Sequence, residues 1–147
     1  MLRILATTKR GVNCCINWYA KYDAIMNQKT NGYIRVASLR VSQRDIAPEP
    51  GETVIRGDRV NPVLGNPHVL HNANDPAERD RVCDAFERDA QIDLQAGGPI
   101  SRAIDDMARR VAAGERIVLM CWCKPRRCHL DWVAREVEQR ANHRTRS

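Results

Sequence analysis

No run in the 147 residues is long and apolar enough to span a bilayer, and the opening Met1-Leu-Arg-Ile-Leu-Ala lacks the extended apolar stretch of a secretory signal. A cytoplasmic setting without membrane contact is the expectation. Internal repeats and low-complexity segments are missing as well. Aromatic residues make up only 5% of the chain, and the basic stretch from Arg140 to Ser147 has no aromatic platform beside it on which bases could stack. Residues 140–147 are therefore expected to form a frayed helix end or a flexible tail. The length leaves no room for a large second domain, and 43% apolar against 29% charged residues describes one globular domain over residues 1–147.

Six cysteines are present, at positions 14, 15, 83, 121, 123 and 128. In a reducing compartment they stay as thiols, so their spacing is read first for metal binding or reactivity. The formal charge of +6 and pI near 9.3 favour contact with phosphates or nucleic acid. Basic residues spread along the whole chain also describe an ordinary soluble surface, so charge alone assigns no partner.

The apolar stretch Leu2–Thr7 predicts a strand, and Cys15, Ile16, Tyr19, Tyr22, Ile25 and Met26 predict a helix after it. Tyr33 to Val41 reads as a second strand and Thr53-Val-Ile55 as a short third one. Gly57 through Pro67 is rich in turn formers and reads as a structured loop. Asn74-Asp75-Pro76 carries cap chemistry ahead of a helix with Val82, Ala85, Phe86 and Ala90 on its apolar face. Ser101 is the expected cap of a further helix through Ile104, Met107, Ala108 and Val111, stopped at Gly114. The run Ile117 to Met120 is uninterruptedly apolar, which predicts a strand buried on both faces. Together these predict a single three-layer α/β domain, Rossmann-like, with a small, mostly parallel sheet covered by helices.

The densest chemistry lies in Cys121-Trp-Cys-Lys-Pro-Arg-Arg-Cys-His-Leu-Asp131, which follows that strand and precedes a helical pattern. It should occupy a strand-to-helix turn, where α/β proteins bind ligands. Cys121, Cys123, Cys128 and His129 offer the thiolates and imidazole that zinc accepts in a tetrahedral shell, although C-x-C-x4-C-H departs from the paired knuckle spacing. Cys121 also reads as a small buried strand residue, and adjacent Cys128 and His129 need unusual backbone geometry to share one ion.

A second reading concerns anions. Backbone amides at the helix start, with Lys124, Arg126 and Arg127, can hold a phosphate, and the same field would lower the pKa of Cys121 or Cys128. Cys121 and Arg127 have the C-x5-R spacing of thiol-dependent phosphatases. Met120 replaces the preceding histidine of that pattern, and Pro125 removes an amide donor from the cradle.

Taken together, Arg56-Gly-Asp-Arg-Val-Asn-Pro-Val-Leu-Gly-Asn-Pro67 and the Cys121–Asp131 segment resemble the bacterial and phage family called domain of unknown function 4326. The resemblance covers about Tyr33 to Glu138 and leaves residues 1–32 as an elaboration outside it. It marks Gly65, Asn66, Pro67, Cys121, Trp122, Cys123, Pro125, Cys128, His129 and Asp131 as signature positions. The family carries no established reaction, and its occurrence in phages implies, by association, a role around nucleotides or DNA.

The leading expectation is a phosphate-bearing ligand, a nucleotide or nucleic-acid end, held between the Gly65–Pro67 loop and the Cys121–Asp131 turn. Lys124, Arg126 and Arg127 would bind the anion and Asn66 would orient the ligand. If there is turnover, Cys121 or Cys128 would offer a thiolate, His129 would move a proton, and Asp131 would assist or cap the helix. The competing expectation is a noncatalytic zinc-binding module for nucleic acid or protein, built on Cys121, Cys123, Cys128 and His129. A third is a small phage or host-factor binding protein needing neither ligand nor metal.

Overall fold

The computed structural model describes residues 32–40 and 47–146. Strand β1 is Tyr33–Ser38, β2 is Thr53–Arg56, helix α1 is Pro76–Ala96, α2 is Pro99–Ala112, β3 is Arg116–Cys121 and α3 is His129–Arg146. Both β1 and β2 pair in parallel with β3, which stands in the centre. The domain is thus of the expected α/β class with a small parallel sheet. The strand expected over Leu2–Thr7 and the helix over Cys15–Met26 lie outside the described residues.

Register accounts for the unbroken apolar run of β3. Ile117, Leu119 and Cys121 turn to one face, where Ile34, Val36 and Ile55 of the neighbouring strands join them in the main core with the three helices. Val118 and Met120 turn to the other face and pack with Ala37 and Leu39. A strand buried on both faces has no solvent side, so polar and apolar residues do not alternate along it.

Helix α1 begins as its sequence dictates, with the Asp75 carboxylate accepting the Ala77 amide at 2.9 Å and Pro76 at the first helical position. Its buried stripe is Arg79, Cys83, Phe86 and Ala90, at helical spacing. Helix α2 departs from expectation. Ser101 does not cap it, because Gly98 and Pro99 precede it and Ser101 is buried inside the first turn. Its amide is satisfied by Asp93 Oδ1, at 2.7 Å, from the end of α1. The two helices come so close that a carboxylate of one serves the other, which no local pattern displays.

Helix α3 runs through Arg146, over the stretch expected to be a frayed helix end or a flexible tail. Ala141 is buried in line with Val133 and Val137, and Arg140 pairs with Asp105 of α2 at 2.7 Å, so packing against α2 holds the helix through Arg146. Among the described residues, no helix is long and apolar enough to cross a membrane.

Glu52 ties the strands at their amino ends: it accepts Tyr33 Oη at 2.8 Å and Arg35 Nε at 2.6 Å. The Arg35 guanidinium holds the Glu52 carboxyl at about 2, down from the ordinary 4.5. Arg110, and then the Thr53 hydroxyl, hold Glu115 at about 2 as well. Both carboxyls are more acidic folded than unfolded, so their stabilisation is complete above the unfolded value and is lost as pH falls toward the folded one. The urea midpoint should therefore drop between neutral pH and about pH 3, and Glu52→Gln should flatten that drop. Leu119 is fully buried in the central strand. Leu119→Ala should cost about 3 kcal/mol in urea unfolding, with the slope of the transition unchanged.

Candidate metal centre

Strand β3 carries Cys121 to the carboxyl edge of the sheet, and the chain then turns through Trp122–Arg127 before α3 opens at His129. The turn is closed by a bond from the Arg126 amide to the Cys123 carbonyl at 3.1 Å, and the Lys124–Pro125 peptide is cis. At the helix start, the Cys128 amide donates to Asp131 Oδ2 and the Asp131 amide to the Cys128 carbonyl, each at 3.0 Å. This is one half of a capping box, the Asp131 carboxylate reaching back to the amide of the residue before the helix. Its other carboxylate oxygen pairs with Lys124 Nζ. Asp131 therefore holds the turn in shape.

The result is a convergence of four side chains. One ligand atom each from Cys121, Cys123, Cys128 and His129 falls within 4.8 Å of the others, close enough to bind a metal ion. Ligands of a tetrahedral zinc with sulfur at about 2.3 Å stand roughly 4 Å apart, so the set needs little contraction. Cys128 and His129 meet this geometry despite being neighbours, with Sγ and Nδ1 3.8 Å apart. One precedes the helix and the other opens it.

His129 is buried, and its Nε2 lies 3.1 Å from the Gly57 carbonyl and 3.0 Å from the Leu64 carbonyl. Carbonyl oxygens only accept, so Nε2 bears the proton. In the neutral ring Nδ1 then holds a lone pair on the side of the sulfurs. Phe86 packs edge-on against the ring at 4.7 Å.

The two carbonyls are delivered by the loop after β2. Asn61 Oδ1 accepts the amides of Val63 and Leu64 at 2.9 Å, bending the chain. A Cβ on Gly65 would stand 2.5 Å from the Asn61 carbonyl and 2.7 Å from that of Asp58, and one on Gly57 would stand 2.6 Å from the Leu130 side chain. At position 65 the approach is backbone to backbone and requires glycine.

Charge in the cluster is unevenly shared. Hydrogen bonds from Cys121 and Cys128 hold the Cys123 thiol far below its ordinary range. Cys121 is pushed up to about 11 by its bond to Cys123 together with burial. Cys128 is pushed up by its bonds to Cys121 and Cys123. Cys123 is thus the most acidic of the three thiols. Cys121 and Cys128 are buried, whereas Cys123 is half-buried.

The expected anion ligands are differently engaged. Arg127 spans α1, reaching Asp84 at 2.6 Å, Asp80 at 3.0 Å and Glu87 at 3.2 Å. Arg126 donates to the Ala73 carbonyl and to Asn74 Oδ1. Lys124 is paired with Asp131. Asn66 is buried, donating to the Val82 carbonyl at 3.2 Å and accepting the His68 amide at 2.9 Å. Pro67 is exposed. Trp122 is 52% exposed and donates to Asp58 Oδ2 at 3.2 Å instead of packing between layers.

A cavity of about 260 Å³ adjoins the cluster, walled by Asn66, Arg79, Trp122, Cys121, Cys123 and His129 among others. The Gly-Asn-Pro loop and the cysteine turn therefore share one crevice. Sequence reasoning missed Gly57 and Asp58, whose roles arise from contacts far along the chain. It also missed Arg79, although an arginine at stripe spacing ahead of Cys83, Phe86 and Ala90 was a readable anomaly.

The family described as Domain of unknown function (DUF4326) matches residues 37–139, a span that includes the loop, the cysteine turn and most of α3. The chain belongs to this family. No curated protein and no solved structure matches it.

Gly65→Ala should force the 58–65 loop to shift, moving the Leu64 carbonyl off His129. The expected loss is on the order of 2 kcal/mol in thermal unfolding, and a stability equal to the parent would refute the claim that loop and turn are coupled through this bend.

Proposed function

We propose that the protein is a noncatalytic zinc-binding module in which Cys121, Cys123, Cys128 and His129 hold one structural zinc ion at the carboxyl edge of the sheet. The observation that carries this reading is the orientation of His129. Its Nε2 proton is committed to the Gly57 and Leu64 carbonyls, which leaves Nδ1 for the cluster, 3.8 Å from Cys128 Sγ. A ring ligand whose second nitrogen donates to backbone oxygen is the usual supporting arrangement of a metal-binding histidine.

The donor set favours a structural role. Three thiolates and one imidazole complete a tetrahedral shell from protein alone, with no position left for water or substrate. Cys121 and Cys128, the cysteines considered as nucleophiles, are buried at 3% and 2% exposure. The ion would clasp the end of β3, the turn and the start of α3, and through His129 the loop after β2. It would thereby set the floor of the adjoining cavity.

Elemental analysis of the protein purified without added metal should find about one zinc per chain. Removal with a strong chelator should abolish the cooperative unfolding transition or lower Tm on the order of 10 °C, with recovery on adding zinc back. Cys123→Ser should retain markedly less zinc. Metal-free protein that unfolds at the parent temperature would remove this reading.

A further inference from the structure

Arg79 is 7% exposed, yet no carboxylate lies within ion-pair distance of it among the described residues. Its side chain makes one hydrogen bond, from Nη2 to the Ala73 carbonyl at 2.9 Å. A guanidinium has five N–H donors and cannot be deprotonated. Burying such a charge without a counter-ion is costly, and proteins normally pair it. Even the less deeply placed Arg35, Arg110 and Arg140, at about a quarter to a third exposed, each meet a carboxylate at 2.7 Å or less.

Arg79 lines the 260 Å³ cavity beside the cysteine cluster. Its companions there divide into two kinds. Leu70, Val82 and the half-exposed Trp122 offer apolar surface, and the Trp122 ring is steadied by its bond to Asp58. Arg59, exposed and without an ion pair among the described residues, stands on the same cavity with one bond to the His68 carbonyl. The other polar groups are engaged: Asn66 through both ends of its amide, His68 with Asp89 at 2.8 Å, His129 with the Gly57 and Leu64 carbonyls, and the Asp58 carboxylate, which also lines the cavity, with Arg56 at 2.6 Å and Trp122 at 3.2 Å. The donors still open belong to the two arginines. The charge, the volume and the apolar walls call for the same kind of guest.

We propose that this cavity binds a small organic anion with a flat apolar body, its phosphate or carboxylate on Arg79 with Arg59 at the mouth, and its ring against Trp122 and Leu70. The guest supplies the counter-charge that the fold omits. The proposal does not require the zinc reading: its charge contacts, Arg79 and Arg59, lie outside the cysteine turn, and Trp122 is the one contact it shares with that turn.

Isothermal titration of the full chain as purified, with its metal content measured, tests this directly. The probes are nucleoside 5′-monophosphates, benzoate, inorganic phosphate and an uncharged nucleoside. At least one ring-bearing anion should bind, with at least tenfold higher affinity than phosphate alone or the nucleoside. Preference for a monophosphate over benzoate assigns a phosphate ester, and the reverse assigns a carboxylate. Arg79→Met should weaken binding at least tenfold with unchanged metal content, while the ligand-free Tm stays level or rises because an unpaired buried charge is gone. Binding of no probe, equal binding by Arg79→Met, or a Tm lowered by several degrees in that variant with binding retained would each overturn the proposal. Zinc-loaded protein that binds no probe sinks this inference alone, and protein that is metal-free as purified yet folded and binding sinks only the zinc reading.

Discussion

A buried imidazole must satisfy two nitrogens, and His129 does so in opposite directions. Its Nε2 reaches the Gly57 and Leu64 carbonyls, from the exit of β2 and the loop that follows it. Its Nδ1 lies in the cluster at the turn after β3, 3.8 Å from Cys128 Sγ. Because carbonyls accept only, the first contact dictates the tautomer and the tautomer dictates what the second can do. The same bond holds the Gly-Asn-Pro loop against α3, and so forms one side of the cavity. Every other feature of the site, from the glycine at position 65 to the cap at Asp131, serves to keep these atoms in register.

The basic excess of the chain finds much of its use inside the molecule. Arg127 bridges the cysteine turn to three carboxylates of α1, Arg140 joins α3 to α2, and Arg35 gathers β1 to the turn before β2. A guanidinium with two or more acceptors is held in place by geometry as much as by charge, which suits it to joining elements. A cation engaged in this way offers little to an external phosphate. Arg79 differs by being buried and lacking such a partner.

Much of the architecture was legible from periodicity. The two-sided burial of Ile117–Met120, the cap at Asp75 and the stop at Gly114 follow from local chemistry and are found where that chemistry places them. Of the site, the four side chains that lie close enough to bind a metal ion were legible as Cys121, Cys123, Cys128 and His129, and Asn66 of the Gly-Asn-Pro loop lines the cavity beside them. What was not legible has a common cause. Ser101 lost its role to Asp93, Arg140 and Arg144 of α3 meet Asp105, and Arg126 and Arg127 are engaged by Asn74 and α1. Each depends on a partner supplied by another element.

Sequence alone was thus enough for the class of fold, the position of the turn and the identity of the donor atoms, because side-chain alternation, helix capping and ligand chemistry operate over a few neighbouring residues. Only the tertiary structure decided that adjacent Cys128 and His129 face one point, which histidine nitrogen is free, and which arginine is left without an acid. Those outcomes depend on the separation of groups more than forty positions apart, such as Arg127 and Asp84 or His129 and Leu64. Chain packing sets such distances, and no local pattern encodes them.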